Sequence, residues 1–419
     1  MFAIFKENPT FFRFILGRFC ALVSDNILLF VIPLLVFRNT GSAALSGIVF
    51  FIEWIPQVIS LPIAGSLADR FGGRRLFIIS DLVRCISSLT AATLLIVSPS
   101  LSFPILCVFA FVGAFFQSQS LVSVESLVPK LFDDSQLVQT QSMLQTIQQL
   151  SMILGPLFCG LLVLVISKES IVYVAAAMYF LSFINVGTLK LRYRDGQDSV
   201  SSKASNSFIY QFKQSTAFIF GHPKLLILVI FSLSINLVVG LLLGGSPIIS
   251  ISEFDVSDPV YSLLQLSLGI TSIVALTFTS KAFRLFSGEL IFSLATLLIM
   301  VGGFICATAN SFPFYVIGFS IVMASLAFFN VYMRSERVKL IPPADRGKVI
   351  SIMIMFNLLP LPLCGVLISM TSRFMTIQTL LLVVLTTTTL IVVSLMALRW
   401  FNQKSSLDTE KLGQEASFK

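Results

Sequence analysis

The chain has 419 residues, of which 56% are hydrophobic, only 11% are charged and 41 are phenylalanine. A soluble chain of this length carries roughly a quarter charged residues, so the composition excludes a soluble globular protein. The formal net charge of +8 does not require a nucleic-acid partner, because basic loops facing anionic lipid headgroups produce the same excess. The composition therefore predicts an integral membrane protein.

Twelve apolar stretches are long enough to cross a bilayer, whose hydrocarbon core of about 30 Å needs about 20 helical residues. Their approximate bounds are 11–37, 44–66, 76–98, 103–126, 137–166, 170–190, 224–249, 259–280, 288–308, 312–333, 347–369 and 376–399. These runs are continuous rather than alternating, which favours helices over the strands of a barrel. The sequence therefore predicts an all-α membrane protein with twelve transmembrane helices, numbered here as spans 1 to 12.

The longest polar interruption separates two sets of six spans. The predicted units are a first half at 1–190, a cytoplasmic linker at 191–223, a second half at 224–400 and a cytoplasmic tail at 401–419. The linker segment "SFIYQFKQSTAFIF" predicts a short amphipathic helix on the membrane face. The loops "ESLVPKLFDDSQL" and "VKLIPPADRGKV", after spans 4 and 10, share a Leu-aliphatic-Pro pattern. This similarity indicates that the two halves are repeats, as in many secondary transporters.

The orientation follows from the basic residues, because Lys and Arg favour loops that stay in the cytoplasm. If the amino terminus lies inside, only Arg38, Lys168 and Arg373 of the 28 basic residues fall on the outer side. No short apolar segment with a small-residue cleavage site precedes span 1, so we expect span 1 to be retained as a helix. The sequence therefore predicts a multi-pass protein of a bacterial inner membrane with both termini in the cytoplasm.

Charged residues inside the first spans are the main functional signal. Asp25 lies in the middle of "FCALVSDNILLFVIPLL" in span 1, Arg18 lies seven residues earlier, and Glu53 lies in span 2 at a similar depth. A charge at the bilayer centre costs about 2.5–3.5 kcal/mol, so such groups face a cavity, pair or become neutral. Our hypothesis is that Asp25 and Glu53 line a central cavity and that at least one takes up and releases protons. The alternative is a permanent packing pair of Asp25 with Arg18, or a hydrogen bond from Asp25 to span 2.

A loop rich in glycine and charge joins spans 2 and 3. The segment "GSLADRFGGRRLF" contains Gly65, Asp69, Arg70, Gly72 and Arg74. The two glycines allow a turn or a close backbone approach, and Asp69 is placed to accept hydrogen bonds from the amino terminus of a neighbouring helix. The segment predicts a gating loop, and the alternative is an exposed loop whose charges only set the orientation.

Two further residues belong to this predicted gating region. Asp81 and Arg84 follow at positions i and i+3 on one face of span 3, near its inner edge.

Polar amides supply the weaker candidates for substrate contact. These amides are Gln117, Gln145 and Gln148 in the first half and Asn236 and Asn357 in the second. Neutral amides can hydrogen-bond a polar ligand without fixing a charge.

The sequence offers little for other kinds of site. All six cysteines lie in apolar runs, and the single histidine, His222, lies in a polar connection. We therefore expect no metal site. No Gly-rich Lys-Ser/Thr loop for nucleotides occurs either.

The loop between spans 2 and 3 resembles the signature loop of the major facilitator superfamily. Gly65, Leu67, Ala68, Asp69, Arg70, Gly72 and Arg74 match the family pattern, while Gly73 stands where the family usually has a base. The resemblance implies the major facilitator fold, with two six-helix halves. It also implies that Asp69 docks against the start of span 11, near Gly347, and closes the inner side in the outward-facing state. In span 5, Gly155, Pro156 and Gly160 resemble a shortened form of the motif associated with exporters.

Taken over its length, the first half is similar to the branch that contains enterobactin exporters and macrolide efflux proteins. That resemblance implies a secondary active transporter working by alternating access, a proton-coupled antiporter that exports a siderophore or a drug. The only energy source implied is the proton gradient, with no cofactor. The arginine that many drug/proton antiporters carry in span 4 is missing from "CVFAFVGAFFQSQS", which puts the standard proton relay in doubt.

One transport alternative remains open. "SDNILLF" in span 1 is similar to a segment of lysophospholipid transporters, which implies inward flipping of a lipid instead of export. An enzyme is not expected, because no span contains a histidine and no recognisable pair of aspartates occurs. The expected partners are a small-molecule substrate and the lipid bilayer, with no nucleic acid and with a monomer as one expected state.

Overall fold

A computed structural model describes residues 9–131, 134–189, 208–342 and 346–395. These residues form helices joined by short turns, and no strand occurs among them. Twelve helical segments are long and apolar enough to cross a membrane. The prediction of an all-α architecture with twelve spans is therefore confirmed.

The first half consists of six long helices. They are α1 (Pro9–Thr40), α2 (Ala43–Phe71), α3 (Gly73–Val97), α4 (Ser102–Leu131), α5 (Asp134–Val165) and α6 (Lys168–Gly187). Two tight reversals between these helices use glycines in the left-handed region, Gly41 with φ 64° and Gly72 with φ 80°. Residues with a Cβ adopt this conformation only at a cost, which explains the glycines at these turns. Ser167 begins α6 as its N-cap, because its side chain accepts a hydrogen bond from the Ser170 amide.

The remaining described residues form α7 (Phe208–Gly221), which lies between the halves, and then the second half. The helices of the second half are α8 (Pro223–Ile248), α9 (Asp258–Leu285), α10 (Gly288–Thr308), α11 (Phe312–Leu340), α12 (Arg346–Leu358), α13 (Pro360–Thr371) and α14 (Ile377–Leu395). Helices α12 and α13 together occupy predicted span 11. The break at Leu359 precedes Pro360, whose ring and missing N–H disfavour a continuous helix.

The halves meet most closely at one end of the bundle, which we call the distal end: the end where α1 stops and α2 starts. Helix α5 packs against α9, and α2 packs extensively along α13 but scarcely touches α12. A Cβ on Gly365 of α13 would lie 2.5 Å from the Gly47 carbonyl oxygen of α2, so the two backbones touch there. Arg38 Nη2, at the end of α1, donates a hydrogen bond to the Val256 carbonyl at 3.0 Å. The two halves are thus closed against each other at the distal end.

Candidate functional site

The centre of the first half contains a buried ion-pair cluster that joins α1 to α3. Arg84 Nη1 donates to Asp25 Oδ1 of α1 at 2.7 Å, and Arg84 Nη2 donates to Asp81 Oδ1 one turn earlier on α3. The side chains of Arg84, Asp25 and Asp81 are 1%, 5% and 0% exposed. Charges this far from water must be paired to be tolerated. The Arg84 guanidinium therefore forms ion pairs with two carboxylates on two helices.

Helix α6 supplies the third wall of this cluster. Tyr179 OH donates to Asp25 Oδ1 at 2.6 Å, and Ser182 Oγ donates to Asp81 Oδ2. The Tyr179 ring also lies 4.5 Å from Arg84 Cζ, which adds a cation–π contact. Tyr179 and Ser182 are three residues apart, so they share a face of α6.

A second buried arginine balances the charge. Arg18 on α1 is 4% exposed and donates from Nη1 to Ser120 Oγ on α4 at 3.1 Å. It also lies within electrostatic range of Asp81. Two arginines and two aspartates sum to zero when all are ionised, so the fully ionised network carries no net charge. We call Arg18, Asp25, Asp81, Arg84, Tyr179 and Ser182 the charge network.

The structure revises the predicted surroundings of Asp25. The sequence predicts Asp25 on a cavity wall, with Arg18 as its alternative partner. In the structure its ion-pair partner is Arg84, and its side chain points between α3 and α6 inside the first half. Seven residues of helix separate Arg18 and Asp25 by about 10.5 Å along the axis, and Arg18 instead reaches Ser120.

The positions of Asp81 and Arg84 also differ from the prediction, which groups them with the gating loop at the inner edge of span 3. The structure places both on the buried face of α3, more than two turns beyond its start at Gly73. The sequence signal for this arrangement was Arg84 itself, because a basic residue buried inside a membrane span requires acidic partners on neighbouring helices.

Glu53 is a second buried acid, on α2. It is 9% exposed, and its Oε2 atom is buried without a hydrogen-bond partner. Two turns earlier on the same face, Ser46 Oγ donates to the Pro33 carbonyl of α1 at 3.2 Å. Because α1 and α2 run in opposite directions, this register puts Glu53 at about the depth of Asn26, next to Asp25 in the chain.

The predicted gating loop is only partly described. The surroundings of Gly65 and the side chains of Asp69 and Arg70 lie outside the described residues, as do those of Gly347, so their predicted roles stay predictions. Arg74 Nη2 donates to the Gly187 carbonyl at the end of α6, at 2.6 Å. A base at this position stabilises the negative end of α6, so the observed contact of Arg74 lies within the first half.

The weaker candidates are scattered over the bundle. Gln117, Gln148, Asn236 and Asn357 are half-buried on α4, α5, α8 and α12, and the side chain of Gln145 lies outside the described residues. Asn236 Nδ2 donates to the Ser232 carbonyl of its own helix at 2.8 Å. Their predicted role in substrate contact remains a prediction.

The glycine–proline motif of span 5 lies against α1. A Cβ on Gly155 would overlap the Asn26 side chain, so α5 touches α1 beside Asp25. Pro156 follows inside α5, and Gly160 is buried one turn later. Within the described ranges, no group of three or more His, Cys, Asp or Glu side chains could hold a metal ion.

Replacing Tyr179 by phenylalanine tests the link between α6 and Asp25. The variant loses the hydrogen bond to Asp25 Oδ1 but keeps a ring beside Arg84. We expect the free energy of unfolding to fall by about 0.5–1.5 kcal/mol, the net worth of one hydrogen bond, measured as a lower melting temperature in detergent. Tyr173→Phe is the matched control, because Tyr173 OH bonds the exposed Thr93 at 3.0 Å. Equal losses in the two variants would contradict a special role for Tyr179.

Comparison with known proteins gives the family of this fold and site. The family model described as Major Facilitator Superfamily matches residues 14–335. A multidrug efflux pump, Tap, of Mycolicibacterium fortuitum is 26% identical over 171 residues, which cover 40% of this chain and 42% of the relative. The Tap pump of Mycobacterium tuberculosis strain H37Rv is 23% identical over 187 residues, or 43% of this chain and 44% of the relative. The matched regions therefore span less than half of these relatives.

Solved structures share the fold at low sequence identity. The nucleoside transporter NupG superimposes with a TM-score of 0.70 at 16% identity, covering 93% of this chain and 99% of that one. A bacterial homolog of the human lysosomal transporter Spinster gives 0.65 at 13% identity, with 87% and 82% covered. A D-xylose–proton symporter gives 0.64 at 15% identity, with 85% and 87% covered. Since the family model matches most of the chain and these folds agree with it, the chain belongs to the Major Facilitator Superfamily.

Proposed function

We propose that the protein is a secondary active transporter that exports an amphipathic small molecule, a drug or a siderophore, in exchange for protons. The observation that carries this proposal is the pair of buried carboxylate oxygens without a hydrogen-bond partner, Asp25 Oδ2 and Glu53 Oε2. A buried charged oxygen without a donor costs free energy unless the group binds a proton. Both acids lie in the half that holds the charge network, so proton binding there changes the net charge of the bundle interior.

The energy source follows from what the sequence contains. The chain has no nucleotide-binding loop, and the buried acids offer an exchangeable proton instead. We therefore propose the proton gradient as the driving force, with no cofactor. The efflux pumps to which the chain is similar support export as the direction.

The distal closure supports alternating access. With the amino terminus in the cytoplasm, as the basic residues predict, the distal end is the outer end, so we propose that this closure is the outer gate of the alternating-access cycle. We place the protein in a bacterial inner membrane with both termini in the cytoplasm.

An apolar groove supports an amphipathic substrate. Its volume is about 180 Å³, and it lies in the half of the bundle away from the distal end. It is lined by Phe12, Ile15, Leu16 and Phe19 of α1 and by Ile147 and Leu150 of α5. Such a surface can accommodate the apolar part of a ligand. The same groove favours the second candidate function, transport of a lysophospholipid.

Flux into proteoliposomes with an imposed pH gradient tests the proposal. A macrolide, a siderophore and a lysophospholipid are compared under the same conditions. We expect the gradient to accelerate the macrolide or the siderophore. Transport of the lysophospholipid alone, at a rate indifferent to the gradient, would overturn the proposal in favour of the second candidate.

The double variant Asp25→Asn with Glu53→Gln tests the proton sites. We expect substrate flux to lose its acceleration by the pH gradient, because neither amide can take up a proton. The control is Glu253→Gln, which changes an exposed acid at the end of the π-helical turn Ile249–Glu253 after α8 and should leave the acceleration intact. Gradient-driven flux that persists in the double variant would show that coupling uses other groups.

A further inference from the structure

The two aspartates of the charge network differ in how their oxygens are occupied. Asp81 Oδ1 accepts from Arg84 and Asp81 Oδ2 accepts from Ser182. Asp25 Oδ1 accepts from both Arg84 and Tyr179, while Asp25 Oδ2 is buried without a partner. A proton on either oxygen of Asp81 would have to displace a donor that is already in place. A proton on Asp25 Oδ2 displaces no hydrogen-bond donor, and it removes the free-energy cost of a buried charged oxygen that lacks a partner.

We propose that Asp25 Oδ2 is the proton-binding atom of the charge network, and that Asp81 is a positioning residue that keeps Arg84 paired while Asp25 is protonated. The inference deepens the proposed proton coupling and rests on it. Asp81 and Ser182 hold Arg84 on α3, so neutralising Asp25 breaks one of two ion pairs and leaves the guanidinium with a carboxylate. A network with one aspartate would instead leave a buried arginine uncompensated, which is strongly destabilising.

The surrounding groups define the electrostatics of Asp25. Arg84 on α3 and Tyr179 on α6 contact it, and Asp81 on α3 shares Arg84 with it. The other buried charged or titratable side chains on its own and the adjoining helix are Arg18 on α1 and Glu53 on α2. Helices α4 and α5 contribute the neutral Ser120 and Ser151 to Arg18 and Asn26. With Arg18 and Arg84 balancing Asp25 and Asp81, uptake of one proton takes the network from neutral to +1.

Protonation also changes how α1 is held. The ion pair from Asp25 to Arg84 joins α1 to α3, whereas the pair of Arg84 with Asp81 lies within α3. Binding of a proton therefore weakens the bridge between helices and leaves the pair within one helix intact. Because α1 also reaches the second half through Arg38 and Val256, the bridge lies on a helix that takes part in the distal closure.

Infrared difference spectroscopy of the full-length protein in lipid nanodiscs tests the assignment, with pH as the variable. The signal is the carbonyl stretch of a protonated carboxyl group, recorded in a Glu53→Gln background so that this acid does not contribute. We expect Asp25→Asn to remove a titrating band that the background shows. In Asp81→Asn the band should persist, and its midpoint should move to lower pH by about one unit or more. Arg84 then pairs with Asp25 alone, and the negative charge of Asp81 is removed.

A second variant keeps the test decisive if Asp81→Asn fails to fold. Ser182→Ala leaves Asp81 Oδ2 without its donor, so we expect a second titrating carboxyl band. A band that survives Asp25→Asn, a midpoint unchanged by Asp81→Asn, or no additional band in Ser182→Ala would each overturn the inference. The titration needs no substrate, so it can be judged separately from the flux measurement. If Asp25 titrates as described but substrate flux does not depend on the pH gradient, the proposed function is contradicted and the assignment of the proton to Asp25 is retained.

Discussion

Replacing Arg84 by methionine will destabilise the protein by about 3–5 kcal/mol in the free energy of unfolding, the usual cost of removing one partner from a buried ion pair. The substitution leaves the carboxylates of Asp25 and Asp81 buried, with Arg18 as the remaining cation of the charge network. It also removes the cation that lies beside the Tyr179 ring. The measurement is the melting temperature of the purified protein in detergent.

The control for this prediction restores the charge balance of the network. In the double variant Asp25→Asn with Arg84→Met, Arg18 and Asp81 remain as one cation and one anion, and we expect much of the lost stability to return. This recovery separates the electrostatic cost from the loss of side-chain packing. A double variant as unstable as Arg84→Met alone would show that packing accounts for the effect and that the ion pairs contribute little.

Replacing Gly365 by valine will prevent closure at the distal end. A Cβ at this position would lie 2.5 Å from both the Gly47 carbonyl oxygen and the Phe51 amide nitrogen. These are backbone atoms that no rotamer change can move. Overpacking of this kind costs about 1–3 kcal/mol, which shifts the closing equilibrium by about fivefold to 150-fold. We expect substrate flux to fall by a similar factor.

A thiol placed at Phe37 reports on that closure. Phe37 is 5% exposed and packs in the same apolar cluster as the second half, so Phe37→Cys should react slowly with a membrane-impermeant maleimide. Adding Gly365→Val should make it reactive from the distal side. Gly113→Ala is the matched control, since a Cβ there meets no heavy atom within 4 Å. Equal labelling in both backgrounds would contradict a closing contact between Gly47 and Gly365.

The helices were predictable from the sequence because lipid imposes a length and an apolar composition on each span. The tight turn at Gly72 was also readable, since a glycine between two spans marks a reversal. The spacing of Asp81 and Arg84 likewise predicts that they share one face of span 3, as they do. These inferences depend on neighbours in the chain, which the sequence orders directly.

The partners of Asp25 were not predictable in the same way. The pairing with Arg84 spans 59 positions, and it depends on how α3 is rotated about its axis and shifted along α1. The contact between Gly47 and Gly365 depends in the same way on how the two halves dock. Hydropathy fixes how deep a residue lies but says little about which neighbour it faces, so the depth of Asp25 was available and its partner was not.

The break at Pro360 has a mechanical consequence for the exchange between conformations. The distal piece of the span, α13, docks on α2 and α8, whereas the proximal piece, α12, lies against α7 and α8. The interruption at Leu359 therefore separates a piece that docks on the first half from a piece that packs beside the connecting helix α7. Since α7 lies in the connection between the halves, its packing against α12 couples that connection to the proximal piece of span 11 and not to the docked piece.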